Sequence, residues 1–439
     1  MVITRGRAGS VVLIVLSLFL AFGASVAGAQ SESEGVNGTF RYRNADGENV
    51  TVAGVEIVIK DGAGADVATA VSGEDGTFEA DLPGPGDYVA SILPETIPDG
   101  VALRNPDRVE FSFSLSAGQR RGLAFPLAAG DGTGTGTALA DESSSTLDSA
   151  IRLTVDGLKF GLIIAMCSVG LSLIFGTTGL VNFAHGELVT IGAVLAFAFN
   201  VGLGLHFLIA APIAILLTAA LGGANNRFLW RPLRDRATGL IAMLVISIGL
   251  SILVRYFILW QFEGFRKSYD QYSLQTDGVT IGPVTIVPRE IATIVISVLV
   301  LVGVALVVQR TRLGKAMRAV SDNKDLAESS GIDVERVIQV VWVSGAGLAG
   351  LGGILFGLDQ QVKWDMGFDL LLLMFAATTL GGLGTAYGAL VGSIIVGLFV
   401  QLSTLVVAPE LKSVGALLVL VIILLVRPQG ILGQRERIG

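Results

Sequence analysis

Gly179-Leu180-Val181-Asn182-Phe183-Ala184-His185-Gly186-Glu187 is a polar, glycine-punctuated break between two strongly apolar segments. Lipid offers no hydrogen bonds to an interrupted helix, so a break at membrane depth survives only where protein buries it or water reaches it. Hydrophobic spans interrupted by Gly and polar residues point to a transport pathway. Asn182, His185 and Glu187 supply an amide, an imidazole and a carboxylate close together, and Gly176, Gly179 and Gly186 free the backbone around them. Ionisable groups inside a span face a cavity or a partner by default. The plainer alternative is a cytoplasmic loop in which Asn182 and Glu187 cap the next helix. Glu187 stands where a carboxylate favours a helix N-terminus under either reading.

The composition fits a membrane setting. The 439 residues are 52% hydrophobic and 15% charged, and the mean hydropathy is +0.70. Soluble domains carry roughly 25% charged residues. The 57 glycines suit helices whose backbones approach closely. The net charge of −7 is uneven: acid concentrates in the first third and arginine in a few later loops, so no nucleic-acid footprint is implied. One cysteine, Cys167, excludes an intrachain disulfide and a cysteine-based metal site. Its apolar surroundings give it a packing role.

Three regions follow one another. Arg5 and Arg7, the apolar run Val11 to Phe22 and the small residues Ala27-Gly28-Ala29 read as a signal peptide over 1–29. Cleaved or not, it places residue 30 onward outside the cell. From 36 to 128, Val52, Val55, Ile57 and Ile59 recur among polar residues, and turn pairs fall at Asp46-Gly47, Asp61-Gly62, Asp75-Gly76, Pro83-Gly84 and Pro85-Gly86. Short strands with regular turns predict an extracytoplasmic, all-β, immunoglobulin-like sandwich. Asp75 and Asp87 invite a calcium reading, but turn chemistry explains them better. Residues 129–149, with Gly130-Asp131-Gly132-Thr133-Gly134 and Ser143-Ser144-Ser145, read as a flexible tether.

Residues 150–439 are the predicted transmembrane domain. Apolar stretches run near 157–175, 188–203, 206–224, 238–260, 291–309, 337–358, 370–387, 389–408 and 411–426. That makes a mainly α, polytopic protein of about eight to nine spanning helices, some broken. Arg227, Arg231, Arg234 and Arg236 follow the third stretch. Arg310, Arg312, Lys315 and Arg318 follow the fifth, and Arg427, Arg435 and Arg437 the last. Positive loops face the cytoplasm, and nine crossings put all three there, the C-terminus included. The start of the domain then lies outside, where the signal peptide already put it.

The run Gly157-Leu-Lys-Phe-Gly-Leu, followed by Gly170-Leu-Ser-Leu-Ile-Phe-Gly-Thr-Thr-Gly-Leu-Val-Asn-Phe-Ala-His-Gly-Glu187, resembles the opening of the branched-chain amino-acid ABC importer permeases. The likeness continues through 311–355 to Gly381-Gly382-Leu383-Gly384-Thr385, Gly388-Ala389 and Gly392. It implies a plasma (inner) membrane subunit that works with a second permease, two cytoplasmic ATPases and an extracytoplasmic solute-binding protein. It also implies Leu, Ile and Val as substrates, with urea, amides or other amino acids in some members. The earlier run Val36-Asn-Gly, Val52-Ala-Gly-Val-Glu-Ile57, Gly73-Glu-Asp-Gly-Thr-Phe78 and Leu82-Pro-Gly-Pro-Gly-Asp-Tyr88 resembles carboxypeptidase-regulatory-like or collagen-adhesin B-type domains. That likeness speaks to fold and not to function.

Beyond the break, Ser321 or Asp322 can cap a short helix that ends at Gly331. Lys324, Asp325 and Glu328 give that helix a solvent face, and Leu326, Ala327 and Ile332 an apolar one, as docking into a partner requires. The resemblance makes this the ATPase-coupling segment, with Asp322, Asp325, Ala327 and Gly331 as its candidate residues; an ordinary solvated loop is the alternative. Gly381, Gly382 and Gly384 join Asn182, His185 and Glu187 as candidate substrate-pathway residues, with tight packing as the other reading. Arg255 reads as a snorkelling interfacial anchor and His206 as interfacial. No phosphate-binding Gly-x-x-x-x-Gly-Lys-Ser/Thr loop is present, so ATP hydrolysis must come from partner chains. No catalytic, metal or cofactor constellation stands out. A stand-alone channel or secondary carrier, or a surface receptor built around the β-sandwich, are the rival functions.

Overall fold

A computed structural model describes residues 35–43, most of 49–129, 146–272 except 263 and 265, 279–407 except 282 and 283, and isolated positions from 417 to 432. The predicted signal peptide, most of the tether and of the 411–426 stretch, and the arginines at 427, 435 and 437 lie outside the described residues. Two compact units divide between Ser145 and Thr146.

The first unit is built from short strands. β1 (Gly35–Thr39), β2 (Arg41–Arg43), β3 (Asn49–Thr51), β4 (Glu56–Asp61), β5 (Asp66–Val71), β6 (Thr77–Asp81), β7 (Gly86–Ile92), β8 (Val101–Leu103), β9 (Glu110–Leu115), β10 (Arg120–Leu123) and β11 (Leu127–Ala129) follow in order. They form a four-stranded sheet β5-β4-β7-β9, a three-stranded sheet β10-β1-β6 and the pairs β2-β3 and β11-β8. The pairing is antiparallel except between β1 and β10. Period-two patterning explains the core: Ile57 and Ile59 are fully buried while Glu56, Val58 and Lys60 are more open. Phe40, Phe78, Tyr88, Phe113 and Phe125 complete it. Asp75 Oδ1 accepts from both the amide (3.0 Å) and the hydroxyl (2.7 Å) of Thr77, so this aspartate is a turn residue.

The second unit is helical: α1 (Thr146–Thr178), α2 (His185–Phe197), α3 (Phe207–Asn225), α4 (Arg231–Asp235), α5 (Leu240–Phe262), α6 (Pro288–Arg310), α7 (Arg312–Asp322), α8 (Lys324–Ser329), α9 (Val334–Gln360), α10 (Met366–Gly381) and α11 (Ala386–Leu402). A small hairpin of β12 (Val279–Ile281) and β13 (Val284–Ile286) precedes α6. Among the described residues, seven helical segments are long and apolar enough to cross a membrane, and Met366–Gly381 is a shorter apolar eighth. The predicted 370–387 stretch is not continuous, because the chain turns at 382–385 before α11 begins.

α1 is the central post, and glycine lets its neighbours close on it. A Cβ on Gly170 would stand 2.6 Å from the Gly345 carbonyl oxygen of α9. Leu216, Ile241, Leu253 and Leu299 on α3, α5 and α6 are at least 64% exposed, as lipid-facing positions are. Buried hydroxyls of the spans return to their own backbone, as in Thr218 to Ala214 on α3 and Thr378 to Met374 on α10.

Contacts fix what sits at each end of the unit. At one end Arg234 donates to Glu335 (3.0 Å), Asn226 to Gln339 (2.7 Å), and Lys324 to the Thr178 carbonyl (3.3 Å). The two basic loops after α3 and α6 therefore share a side. The amides of Ile431 and Leu432 bond Leu380 and Gly381 there as well, at 2.7 and 2.9 Å. At the opposite end Lys159 meets Glu290 and Asp359, Asn200 meets Gln271 (2.6 Å), and Lys267 pairs with Val362.

Candidate functional site

The break begins where α1 ends. Gly179 takes φ +71°, a conformation that side chains resist, and the chain doubles back there. Residues 179–184 then climb beside α5. Ser247 Oγ accepts from the Phe183 amide (3.1 Å) and lies 3.4 Å from the Val181 carbonyl. At the top of the climb His185 Nε2 meets the Cys167 carbonyl of α1 at 3.1 Å. Cys167 sits about 16 Å of helical rise before the end of α1. Non-helical backbone therefore lies deep among the spans and is enclosed by α1, α5 and α10, with Phe183 against Phe375 at 5.0 Å between ring centroids. The cytoplasmic-loop alternative does not fit this placement. Gly176 and Gly186 prove to be helical, and their role is close approach: a Cβ on Gly186 would lie 2.6 Å from the Gly367 carbonyl.

Asn182, His185 and Glu187 are all fully buried. Asn182 Oδ1 accepts from the Ala184 amide (3.1 Å), which leaves Nδ2 without a partner among the described residues. A carbonyl can only accept, so His185 carries its proton on Nε2, and Nδ1 is an unpartnered acceptor. Glu187 Oε1 accepts from Ser251 (2.8 Å) and from Arg255 through Nε (3.2 Å) and Nη2 (3.1 Å). Its Oε2 has no partner among the described residues. The Arg255 guanidinium also lies 3.7 Å over the Phe368 ring, and its side chain is only 14% exposed. Arg255 is thus turned inward onto Glu187, contrary to the snorkelling expectation, because a buried carboxylate is the stronger attraction. Asp365 and Asp369 act electrostatically on this pair, and Lys363 lies 3.0 and 3.7 Å from them.

The glycine-rich turn is a separate place. Gly382 and Gly384 take φ +114° and +81° between α10 and α11, and Thr385 caps α11 through the Gly388 amide. Gly384 backs onto Gly176, and Ser172 bonds the Thr385 carbonyl at 3.1 Å. Gly381, Gly382 and Gly384 therefore lie at the basic end, and α1 and α10 run between them and Asn182, His185 and Glu187.

The loop after α6 holds two helices where one was expected. Thr311 caps α7 through Gly314 N (3.1 Å), and Met317 and Val320 are buried on its inner face. Asp322 ends α7, so the cap of α8 is Asn323, whose Oδ1 accepts from the Leu326 amide (2.9 Å). Asp322 and Asp325 are exposed, Ala327 is buried, and Leu326 is 64% exposed at the tip. Gly331 ends α8 at φ +83°, with Ile332 N bonded to Ala327 O and Gly331 N to Glu328 O, the paired closure that satisfies the last carbonyls. Desolvation holds the Lys324 ammonium below its ordinary value, and Arg234 adds repulsion. His206 caps α3 through Leu208 N.

Sequence reading missed two connections. Lys159, 9% exposed, joins Glu290 (2.7 Å), Asp359 (2.8 Å) and Asp156 (3.6 Å). Arg255 pairs with Glu187. In each case a lone cation in an apolar helix was the available signal, since such a charge needs a partner.

Residues 153–425 match the family described as branched-chain amino acid transport system / permease component. The chain is 30% identical over 300 residues to BraD of Pseudomonas aeruginosa, a high-affinity branched-chain amino acid transport system permease protein; the match covers 65% of this chain and 96% of that one. It is 31% identical over 295 residues to LivH of Escherichia coli, a permease of the same description, covering 64% and 94%. LivM of Escherichia coli, a further permease protein of that kind, is 25% identical over 306 residues, covering 64% and 70%.

Proposed function

The chain belongs to the family of branched-chain amino-acid transport permeases, and from that premise we propose that it is the membrane subunit through which an ATP-driven importer moves Leu, Ile and Val. One observation carries the reading at the level of geometry. The non-helical stretch 179–184 is held deep among the spans, and it presents Asn182, His185 and Glu187 with one unpartnered polar atom each. Protein encloses the backbone there, but buried polar atoms left without partners are expensive, and a pathway gives them a use. We assign these three residues to the substrate pathway. Gly381, Gly382 and Gly384 form the turn that lets α10 and α11 shift beside it.

The end that carries the two basic loops faces the cytoplasm by the positive-inside rule. The segment Asp322 to Gly331 is the docking point for the ATPase subunits, with Leu326 as its exposed apolar tip. ATP-driven closure of those partners pulls on α7 and α8. The pull passes to the end of α1 through Lys324 and Thr178 and reorients the spans by alternating access. A second permease completes the pathway; the 25% likeness to LivM suits such a homologous partner. An extracytoplasmic binding protein delivers substrate, and the first unit, with its acidic composition, guides that protein.

A strain that lacks this chain and is complemented with it tests the proposal by ATP-dependent uptake of radiolabelled leucine. Uptake no better than that of the uncomplemented strain refutes the importer. Leucine flux through the chain alone in liposomes, with no ATPase, would favour a channel. Binding-protein co-purification that survives deletion of 36–128 removes the role given to the first unit.

A further inference from the structure

Resting on the amino-acid pathway just described, we propose that Glu187 and Arg255 form an ion-pair gate that a zwitterionic substrate opens by exchanging charges with it. Glu187 lies in the first turn of α2, yet its side chain is only 2% exposed and that of Arg255 14%, because the break starts α2 deep among the spans. The pair joins α2 to α5, and Phe368 of α10 lies against the guanidinium at 3.7 Å. The helix that follows the break and two that enclose it thus converge on one pair of charges.

The geometry is asymmetric in a telling way. All three donors crowd onto Oε1 of Glu187, while Oε2, on a residue 1% exposed, has no partner among the described residues. Arg255 spends Nε and Nη2 on this network, and Nη1 takes no part in it. One ion pair thus holds a carboxylate oxygen with no partner among the described residues, and His185 Nδ1 and Asn182 Nδ2, within five residues of it in the chain, are likewise without partners there.

Splitting a buried ion pair leaves two uncompensated charges, which is strongly unfavourable. An α-amino acid avoids that cost because it brings both opposite charges. Its carboxylate takes the guanidinium in the bidentate fashion that arginine favours, and its ammonium takes Glu187 Oε2. Two ion pairs replace one, and no charge is left alone. A cation satisfies only Glu187, an anion only Arg255, and a neutral amide neither. The gate therefore selects for the zwitterion itself, while the aliphatic side chain is left to apolar surroundings such as Phe368.

The test uses the complemented strain and two variants. Glu187→Gln/Arg255→Gln removes both charges together and leaves none unpaired, so the protein reaches the membrane at the native level. Its leucine uptake falls on the order of 10- to 100-fold, the cost of losing hydrogen bonds to charged groups. Glu187→Asp keeps the pair charged but withdraws the carboxylate, and it raises the KM for leucine while the maximal rate changes little. A purely structural ion pair predicts the reverse: the double variant, once in the membrane, transports leucine as the native chain does. That result, or a native KM in Glu187→Asp, overturns the gate. Failure of the native chain to support uptake would instead refute the importer reading itself.

Discussion

Lys159 of α1 and Asp359 at the end of α9 meet at 2.8 Å, and Glu290 in the first turn of α6 completes the contact at 2.7 Å. One ammonium therefore ties together three helices at the end of the unit opposite the basic loops. Removing it leaves two partly buried carboxylates facing each other. Lys159→Met is expected to destabilise the protein by about 2–3 kcal/mol, below the range for a fully buried pair because both carboxylates still reach water. Thermal unfolding in detergent measures it. Adding Asp359→Asn should recover part of the loss, and an unchanged melting temperature in the single variant would show that the contact contributes nothing.

Close approach of α2 and α10 rests on Gly186 and Gly367, with no room for a methyl group between them. Gly186→Ala forces the two backbones apart at the point where His185 and Glu187 are aimed. Overpacking of this kind costs roughly 1–3 kcal/mol. Reduced membrane abundance and reduced uptake should appear together. Native abundance with native uptake would mean that the helices separate freely.

In the first unit, Asp75 is held below the ordinary carboxylate range by the hydroxyl and the amide of Thr77. A depressed pKa stabilises the fold while the group is ionised. The contribution is thus present above the unfolded value of 3.8 and is lost as pH falls through the lower folded value. Hydrogen exchange of the Thr77 amide in the full chain should be slower in the native protein than in Asp75→Ala at neutral pH. The difference should vanish only in strong acid. Equal rates at pH 7 would remove the turn from the account.

Much of this structure was legible in the sequence because its signals are local. Turn pairs such as Asp61-Gly62 and alternation at Ile57 and Ile59 mark strands, and long apolar runs mark spans. Gly179 marks the break because its positive φ is demanded by the chain itself. Pairings across helices were not legible. Arg255 looked like an anchor because nothing in α5 reveals that Glu187, far away in the chain, lies opposite. Asp322 looked like a cap because the amphipathic turn of α7 runs on past Ser321, and the cap passes to Asn323. The glycines at 176 and 186 looked like hinges, since a residue without a side chain serves flexibility and contact equally well until its neighbour is known.

The closing turn of α8 offers a test of coupling. Gly331 stands at φ +83° with open space around it, so a side chain there meets no clash and only the backbone conformation is penalised. Gly331→Ala is expected to cost about 1 kcal/mol, enough to fray the bonds from Ile332 to Ala327 and from Gly331 to Glu328. Asparagine tolerates the same conformation, so Gly331→Asn should lose much less. If α8 is where the ATPase docks, ATPase co-purification and leucine uptake should fall together in the alanine variant and recover together in the asparagine variant. Loss of uptake with ATPase binding intact would move the docking point elsewhere and leave α8 as a structural turn.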